Sequence, residues 1–428
     1  MCEIKKGTSR ESASHDPCMK YLQKRATMRF LSGRFDRSRH YRRAVVIPAL
    51  GETESLPATL QSLSANTPVD ILAETLVLVI VNNRPMQANG KENSSILQEY
   101  IQDNARTLKW LETESKQIPL QLGWIDASSR GNELPPRGGV GLARKIGCDS
   151  VLAYLKKSEN PTPLHEFVFF SLDADTLVSP GYLEMAGHEL LTSGKSGGVI
   201  TFKHQQAGST EGQAAIDAYE AFLNYYVEGL RWAGSPYAFH TVGSCLCFTA
   251  MGYIRANGFP ARRLAGEDFY FCMELVKTGG VCEIKNTSVF PSSRISHRVP
   301  FGTGRRMAEA LLNGKEELLV YDFRVFVALR ELLSAVSINL DKDAEYIYTC
   351  IHHPPTKDFL EGRDFSQVWT RFRRQYKGKE ALLAAFHRWF DGFVTLKYIH
   401  RLTEQEWSRQ PLQLMTASLN HSSFSSSQ

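Results

Sequence analysis

The stretch FVFFSLDADTLVSP, residues 167–180, constrains this chain more than any other. An apolar run suited to a fully buried strand ends in two carboxylates one residue apart, Asp173 and Asp175, and then in a turn at Ser179-Pro180. A strand apolar at every position is covered on both faces, as in a parallel sheet flanked by helices. Two carboxylates this close repel each other, and a hard divalent cation with oxygen ligands is the simplest relief. Residues i and i+2 of a strand point to the same side, and ligands of open α/β sheets bind beyond the carboxyl ends of the strands. The pair therefore stands at the edge where a site belongs.

The neighbouring segments repeat the alternation. AVVIPAL (44–50), LVLVIVNN (76–83), LQLGWIDAS (120–128) and GGVITFKH (197–204) read as strands. Helical periodicity is seen in SLPATLQSLSA (55–65), over 94–111, in the latter half of RGGVGLARKIGCDSVLAYL (137–155), and in AAIDAYEAFLNYYVEGLRWA (214–233). HTVGSCLCFTAMGYIRANGF (240–259) reads as a strand and a short helix, and GEDFYFCMELVKTGG (266–280) as a helix closed by glycine. The aromatic stripe Tyr219, Phe222, Tyr226 reads as core. From Met307 to about Glu406 helical periodicity dominates, with Leu382, Phe386, Trp389, Phe393 and Leu396 on one face. The predicted organisation is a basic extension over 1–42, an α/β domain over 43–306, a helical subdomain over 307–410 and a disordered serine-rich tail over 411–428.

Chain-wide features narrow the function. A 43% hydrophobic content over 428 residues is that of a folded globular protein. The longest wholly apolar run, LVLVIV at 76–81, is far below the roughly 20 residues a membrane helix needs. MCEIKKGTSRESASHDPC lacks the apolar segment of a secretory signal, so a cytoplasmic location is expected. Eight cysteines without a C-x-x-C pair argue against a zinc ribbon or a disulfide framework. Lys24, Arg25, Arg29, Arg34, Arg37, Arg39 and Arg42 face a single acid, Asp36. That run suits either contact with an anionic surface or a solvated extension lying loosely on the domain. No nucleic-acid-reading element accompanies it.

A second D-x-D, Asp341-Lys342-Asp343, serves as a control. No buried strand precedes it, and it reads as a helix start.

The order of AVVIPALGETESLPATLQSL, LVLVIVNN, GGVGLARKIGCDSVL, FVFFSLDADTLVSPGYL and GEDFYFCMEL resembles that of the family 2-like glycosyltransferases with the GT-A fold, over residues 43–306. The resemblance implies a mixed, Rossmann-like sheet flanked by helices, with a helical C-terminal subdomain. It implies that the loop after the first strand, with Pro48, Ala49 and Glu52, holds the base and ribose of a nucleotide sugar. Asn82 and Asn83 stand where the family carries an aspartate on the base, and an amide can also meet a uracil or guanine edge. Gly138, Gly139, Gly141 and Arg144 match the stretch near the ribose and diphosphate, whereas outside this context the glycines would be a flexible loop. Asp173 and Asp175 match the D-x-D that holds Mn²⁺ or Mg²⁺ on the diphosphate, with His297 completing the metal shell.

Glu267 and Asp268 match the acidic pair of which the second member, here Asp268, is the general base; acids in a first helical turn also favour the helix dipole. Arg294, Arg298, Gly302 and Gly304 suit a lid over the diphosphate or plain surface charge. His240, Gly243 and Ser244 fall where the acceptor is lined. The implied activity is metal-dependent transfer of a sugar from a nucleoside-diphosphate donor to an acceptor hydroxyl, with inversion if the displacement is direct, while the retaining GT-A enzymes share a D-x-D plus histidine layout and leave the stereochemistry open. The partners expected are the donor and an unidentified acceptor, without nucleic acid or membrane span but compatible with peripheral membrane contact. A non-catalytic sugar-nucleotide binder and a nucleotidyltransferase stay open as alternatives.

Overall fold

The computed structural model describes residues 16–86, 94–159, 161–261, 266–294 and 318–416. The chain divides into two compact units, Met1–Gln205 with Thr241–Ser292, and Gln206–His240 with Ser293–Gln428.

Burial organises the first unit. It opens with α1 (Pro17–Lys24) and β1 (Ser32–Arg34), followed by β2 (Arg43–Ala49), α2 (Leu56–Ser64), α3 (Asp70–Ala73) and β3 (Thr75–Asn82). All eight residues of β3 are buried, as the unbroken apolar run predicts for a strand covered on both faces. Next come α4 (Ser94–Thr113), β4 (Gln121–Ala127), α5 (Val140–Leu155), β5 (Val168–Ser171), β6 (Leu177–Val178), α6 (Tyr182–Ser193) and β7 (Gly197–Phe202). After α7 (Thr210–Trp232), which belongs to the second unit, the chain returns with β8 (Leu246–Thr249), α8 (Ala250–Arg255), α9 (Glu267–Thr278) and β9 (Val281–Phe290).

The nine strands form one mixed sheet in the order β1-β4-β3-β2-β5-β8-β7-β9-β6. β4, β3, β2 and β5 run parallel, while β8 lies antiparallel to both β5 and β7. The chain winds from β2 outward through β3 and β4 and then returns to place β5 on the other side of β2. The crevice between the ends of β2 and β5 is thus a topological switch point, the usual seat of a ligand in such sheets.

Three strands of the sheet escape the sequence pattern, the two-residue β6 among them. β1 is only three residues long, and β9 carries exposed Lys285 and Asn286 mid-strand with a register shift opposite Ile200 and Thr201, which breaks any period of two. β5 is shorter than expected, so the paired acids lie in the turn that follows it. α5 is buried at nearly every position because Gly147 lets it approach the sheet closely: a Cβ there would lie 2.5 Å from Val46 and 2.8 Å from Ile80.

Residues 16–42, the described part of the basic extension, are fastened to the first unit, in contrast to a loosely lying segment. Asp149 on α5, fully buried, accepts from the hydroxyls of Tyr21 and Tyr253, each at 2.8 Å, and from the Thr27 amide at 2.6 Å. Lys145 completes the cluster at 3.0 Å from Asp149 and 2.7 Å from Tyr21. Arg29 and Arg34 spend guanidinium donors on backbone carbonyls, including those of Glu133 and Ser115.

In the second unit α7 joins α10 (Phe323–Ile338), α11 (Ala344–Thr349), α12 (Pro354–Glu361), α13 (Phe365–Gln375), α14 (Lys379–Trp389) and α15 (Gly392–Gln405) around an aromatic core that includes Phe365, Trp369, Phe386 and Tyr398. Asp343 of the control D-x-D is the N-cap of α11, accepting from the Tyr346 amide at 2.9 Å. The segment expected to be a disordered tail begins with order: Gln410–Pro411 pairs with Leu319–Val320, and the Leu412 amide donates to the Leu318 carbonyl. Residues 417–428 lie outside the described part. No described helix is long and apolar enough to cross a membrane.

Candidate active site

The two acids of the strand-end turn are held by their backbone. The Asp173 carbonyl accepts from the Thr176 amide at 3.1 Å, that of Ala174 from the Thr59 hydroxyl at 2.9 Å, and that of Asp175 from the Gln205 side chain at 2.8 Å. Leu172, Ala174 and Thr176 are buried while Asp173 and Asp175 are partly exposed, so the alternation expected of a strand persists through the turn. Both acids stand at the switch point beside the end of β2.

Arg144 on α5 binds this edge to a second acidic group. Its guanidinium lies 2.5 Å from Asp173 Oδ1 and is also paired with Glu267 at the start of α9. The Arg144 and Glu267 side chains are 3% and 4% exposed, against 38% for Asp173. Burial by itself would lower the basicity of Arg144, but Asp173, Glu267 and Asp268 outweigh it and hold the guanidinium firmly charged. Its Nε is buried without a partner among the described residues.

Two glycines make room for this arrangement. A Cβ on Gly243 would meet Arg144 Nη2 at 2.5 Å and Cζ at 2.9 Å, and one on Gly141 would meet the Glu267 Cβ at 2.7 Å. Gly243 is also tied to the strand end, since its carbonyl accepts from Ser171 at 2.8 Å.

Asp268, next to Glu267, has its carboxyl pushed up to about 7, by burial first and by the Glu267 charge second; Arg144 and the Phe269 amide oppose the rise. An acid so placed is half ionised near neutral pH, which is where a general base works best. Arg144 pairs with two carboxylates, those of Asp173 and Glu267, and the charge of Asp268 acts on it as well.

Asp173 and Asp175 are the metal donors on offer. Arg144 occupies one oxygen of Asp173, leaving the other. Among the described residues no group of three or more His, Cys, Asp or Glu converges on one point. One or two carboxylates do not make an all-protein cage, but they fit Mg²⁺ or Mn²⁺ when phosphate oxygens and water fill the remaining positions.

The loop after β2 is fixed on α4. The amide of Gly51 donates to Asn104 at 2.9 Å, the Thr53 amide to Asp103 at 3.0 Å, and the Thr53 hydroxyl to the Asp103 carbonyl at 2.9 Å. Gly51 has φ +64°, and a Cβ there would lie 2.5 Å from the Tyr100 ring, so glycine is required twice over. Pro48, Ala49 and Glu52 are buried along this stretch. The Asn82 amide nitrogen donates to the carbonyls of Ala49 at 3.1 Å and Ile80 at 3.0 Å, while Asn104 donates to the Asn82 carbonyl at 3.0 Å.

Asp173, Arg144, Glu267, Gly141 and Gly243 thus meet in one cluster, with Asp268 in its electrostatic field. Ser244 is buried beside it, and His240 falls in the second unit. His297, Arg298, Gly302 and Gly304 lie outside the described residues. Sequence reasoning did not find Thr59, Asn104 and Gln205, which fix the two loops. Asn104 carried a faint signal as an amide within an amphipathic helix; the other two carried none.

No protein-family model matches the sequence, and no curated protein matches it. Among solved structures the chain is similar to residues 1–349 of S. aureus TarS, with 13% identity and a TM-score of 0.36 over 81% of this chain and 90% of that one. It is also similar to the mannosyltransferase PcManGT of Pyrobaculum calidifontis, solved with GDP-Man and Mn²⁺, with 16% identity and a TM-score of 0.37 over 89% and 96%.

Proposed function

We propose that the chain is a metal-dependent glycosyltransferase of the GT-A kind, moving a sugar from a nucleoside-diphosphate donor to an acceptor hydroxyl with inversion. The observation that carries this reading is the buried Arg144, which ties a strand-end acid at the switch point to an acidic pair whose second member is pushed toward neutrality. The separate requirements of sugar transfer, diphosphate binding and proton removal, then fall in one place.

In this reading the crevice between β2 and β5 takes the donor. Asn82 has committed its N–H donors to backbone carbonyls, so what it offers a base is an acceptor oxygen, suited to an imide or amide N–H such as uracil or guanine presents. Asp173 and Asp175 would hold the divalent cation, which when bound supplies Lewis-acid neutralisation of the charge gathering on the departing diphosphate. Arg144 fixes the rotamer of Asp173 and pairs with Glu267. Glu267 in turn raises Asp268, which accepts the proton of the attacking hydroxyl. Direct attack opposite the leaving group inverts the anomeric carbon.

The test is thermal stabilisation and release of nucleoside diphosphate across UDP- and GDP-sugars with Mn²⁺ or Mg²⁺. Asp268→Asn is expected to keep donor stabilisation and lose release, and Asp173→Asn to lose both. Donor stabilisation without release in the parent protein would identify a binder and reject the enzyme. Release that persists in Asp268→Asn would reject the assigned base.

A further inference from the structure

The geometry points to a second anion site, inside the helical unit, that takes a phosphate-bearing ligand. It is independent of the transferase reading and survives or fails without it. A cavity of about 420 Å³ is lined by Phe359, Gly362, Arg363, Trp389 and Arg401, drawn from the ends of α12 and α14, the loop before α13, and α15. Two of its five walls are guanidinium cations and none is a carboxylate.

Both cations converge on one ring. The Arg363 guanidinium lies 4.9 Å and that of Arg401 6.0 Å from the centroid of Phe359, itself only 5% exposed. Among the described residues neither arginine has an acidic partner within ion-pairing distance, and the one hydrogen bond from Arg401 goes to Gln405 at 3.0 Å. A phenyl face is a weak counter-charge and satisfies no N–H donor, whereas each guanidinium carries five. Two like charges gathered without an acid repel, and an anion between them reverses the sign of the interaction.

A phosphate monoester is the group that fits. It presents three acceptor oxygens and close to two negative charges at neutral pH, enough to engage two planar forks at once. The Trp389 indole gives an organic substituent a wall to stack on. The same chemistry continues along α13, where a neighbouring open cavity of about 730 Å³ is lined by Ser366, Gln367, Thr370, Arg371, Arg374 and Gln375, again without a carboxylate. From Arg363 to Lys379 six basic side chains face the single acid Asp364.

The phosphate could belong to a soluble ester or to a lipid headgroup, and two probes separate these sources in the full-length chain. Phenyl phosphate is titrated by calorimetry, and vesicles of phosphatidylcholine with or without phosphatidic acid are tested by co-sedimentation. Saturable binding of either probe is expected, weakened about tenfold or more by Arg363→Gln or Arg401→Gln, since a charge-assisted hydrogen bond contributes roughly 1.5–3 kcal/mol. Arg388→Gln, altering an exposed arginine outside the cavity, should leave it unchanged. Arg401→Lys retains the charge without the fork and should fall between, which keeps the test valid if a glutamine variant does not fold. Failure of both probes to bind, or equal loss in Arg388→Gln and Arg401→Gln, overturns the proposal.

Discussion

Replacing Arg144 by methionine isolates the interaction on which the candidate site is built. The substitution keeps much of the volume and removes the charge. Glu267, with its side chain 4% exposed, then loses its cationic partner in a place water does not reach. Breaking a buried pair by removing one member costs about 3–5 kcal/mol, because the remaining charge is uncompensated. The Asp173 contact contributes far less, since a carboxylate 38% exposed is screened by solvent and such pairs yield about 0–1 kcal/mol. Urea unfolding at pH 8, followed by circular dichroism, should therefore show a loss of about 3–5 kcal/mol for Arg144→Met. Adding Glu267→Gln should recover a coupling energy of about 1–3 kcal/mol, whereas adding Asp173→Asn should recover less than about 1 kcal/mol. An Arg144→Met protein within about 1 kcal/mol of the parent, or equal coupling to both acids, would refute the claim that the guanidinium is a buried strut.

Other consequences are open to direct measurement. Gly243→Ala drives a Cβ to within 2.5 Å of a guanidinium that cannot retreat, and should cost about 1–3 kcal/mol by the same unfolding assay. The transfer rate should rise with pH and level off above about 7, because Asp268 acts as a base only once ionised, and a flat profile from pH 5.5 to 8.5 would contradict that role. A folded-state pKa raised above the unfolded value means that Asp268 costs stability increasingly as pH climbs from about 4 to about 7, and by a constant amount above that. Asp268→Asn should accordingly be more stable than the parent at pH 8, and that gain should vanish near pH 4, as melting temperatures will report. Asp343→Ala should lose about 1 kcal/mol through its helix cap while leaving donor stabilisation intact, which separates the two D-x-D sequences by experiment.

Much of the first unit was legible in the sequence because its parallel strands are buried on both faces. LVLVIV and FVFF admit little else, and the carboxyl edge of such strands is where acids and loops must gather. β9 was not legible, since exposed Lys285 and Asn286 interrupt its pattern. The acids drew notice by type and position, but the partnership of Arg144 with Asp173 and Glu267 was not legible. It joins Arg144 to acids 29 and 123 positions further along the chain, with close approaches at Gly141 and Gly243 making room for it. The arginine was expected near a diphosphate because guanidinium suits phosphate; its pairing with Asp173 and Glu267 is what the fold adds. The division of the chain was obscured in a similar way, since α7 looks like one more crossover helix and yet builds its core with the helices after residue 318.

In the proposed enzyme Asp173 and Asp175 complete a metal site only together with a nucleotide's diphosphate. Electron paramagnetic resonance of Mn²⁺ titrated with the protein, alone and with UDP or GDP, tests this most directly. The prediction is weak Mn²⁺ binding by the protein alone, a marked tightening when one of the two nucleotides is present, and loss of that tightening in Asp173→Asn. Mn²⁺ affinity that neither nucleotide changes, or that Asp173→Asn leaves intact, would contradict it.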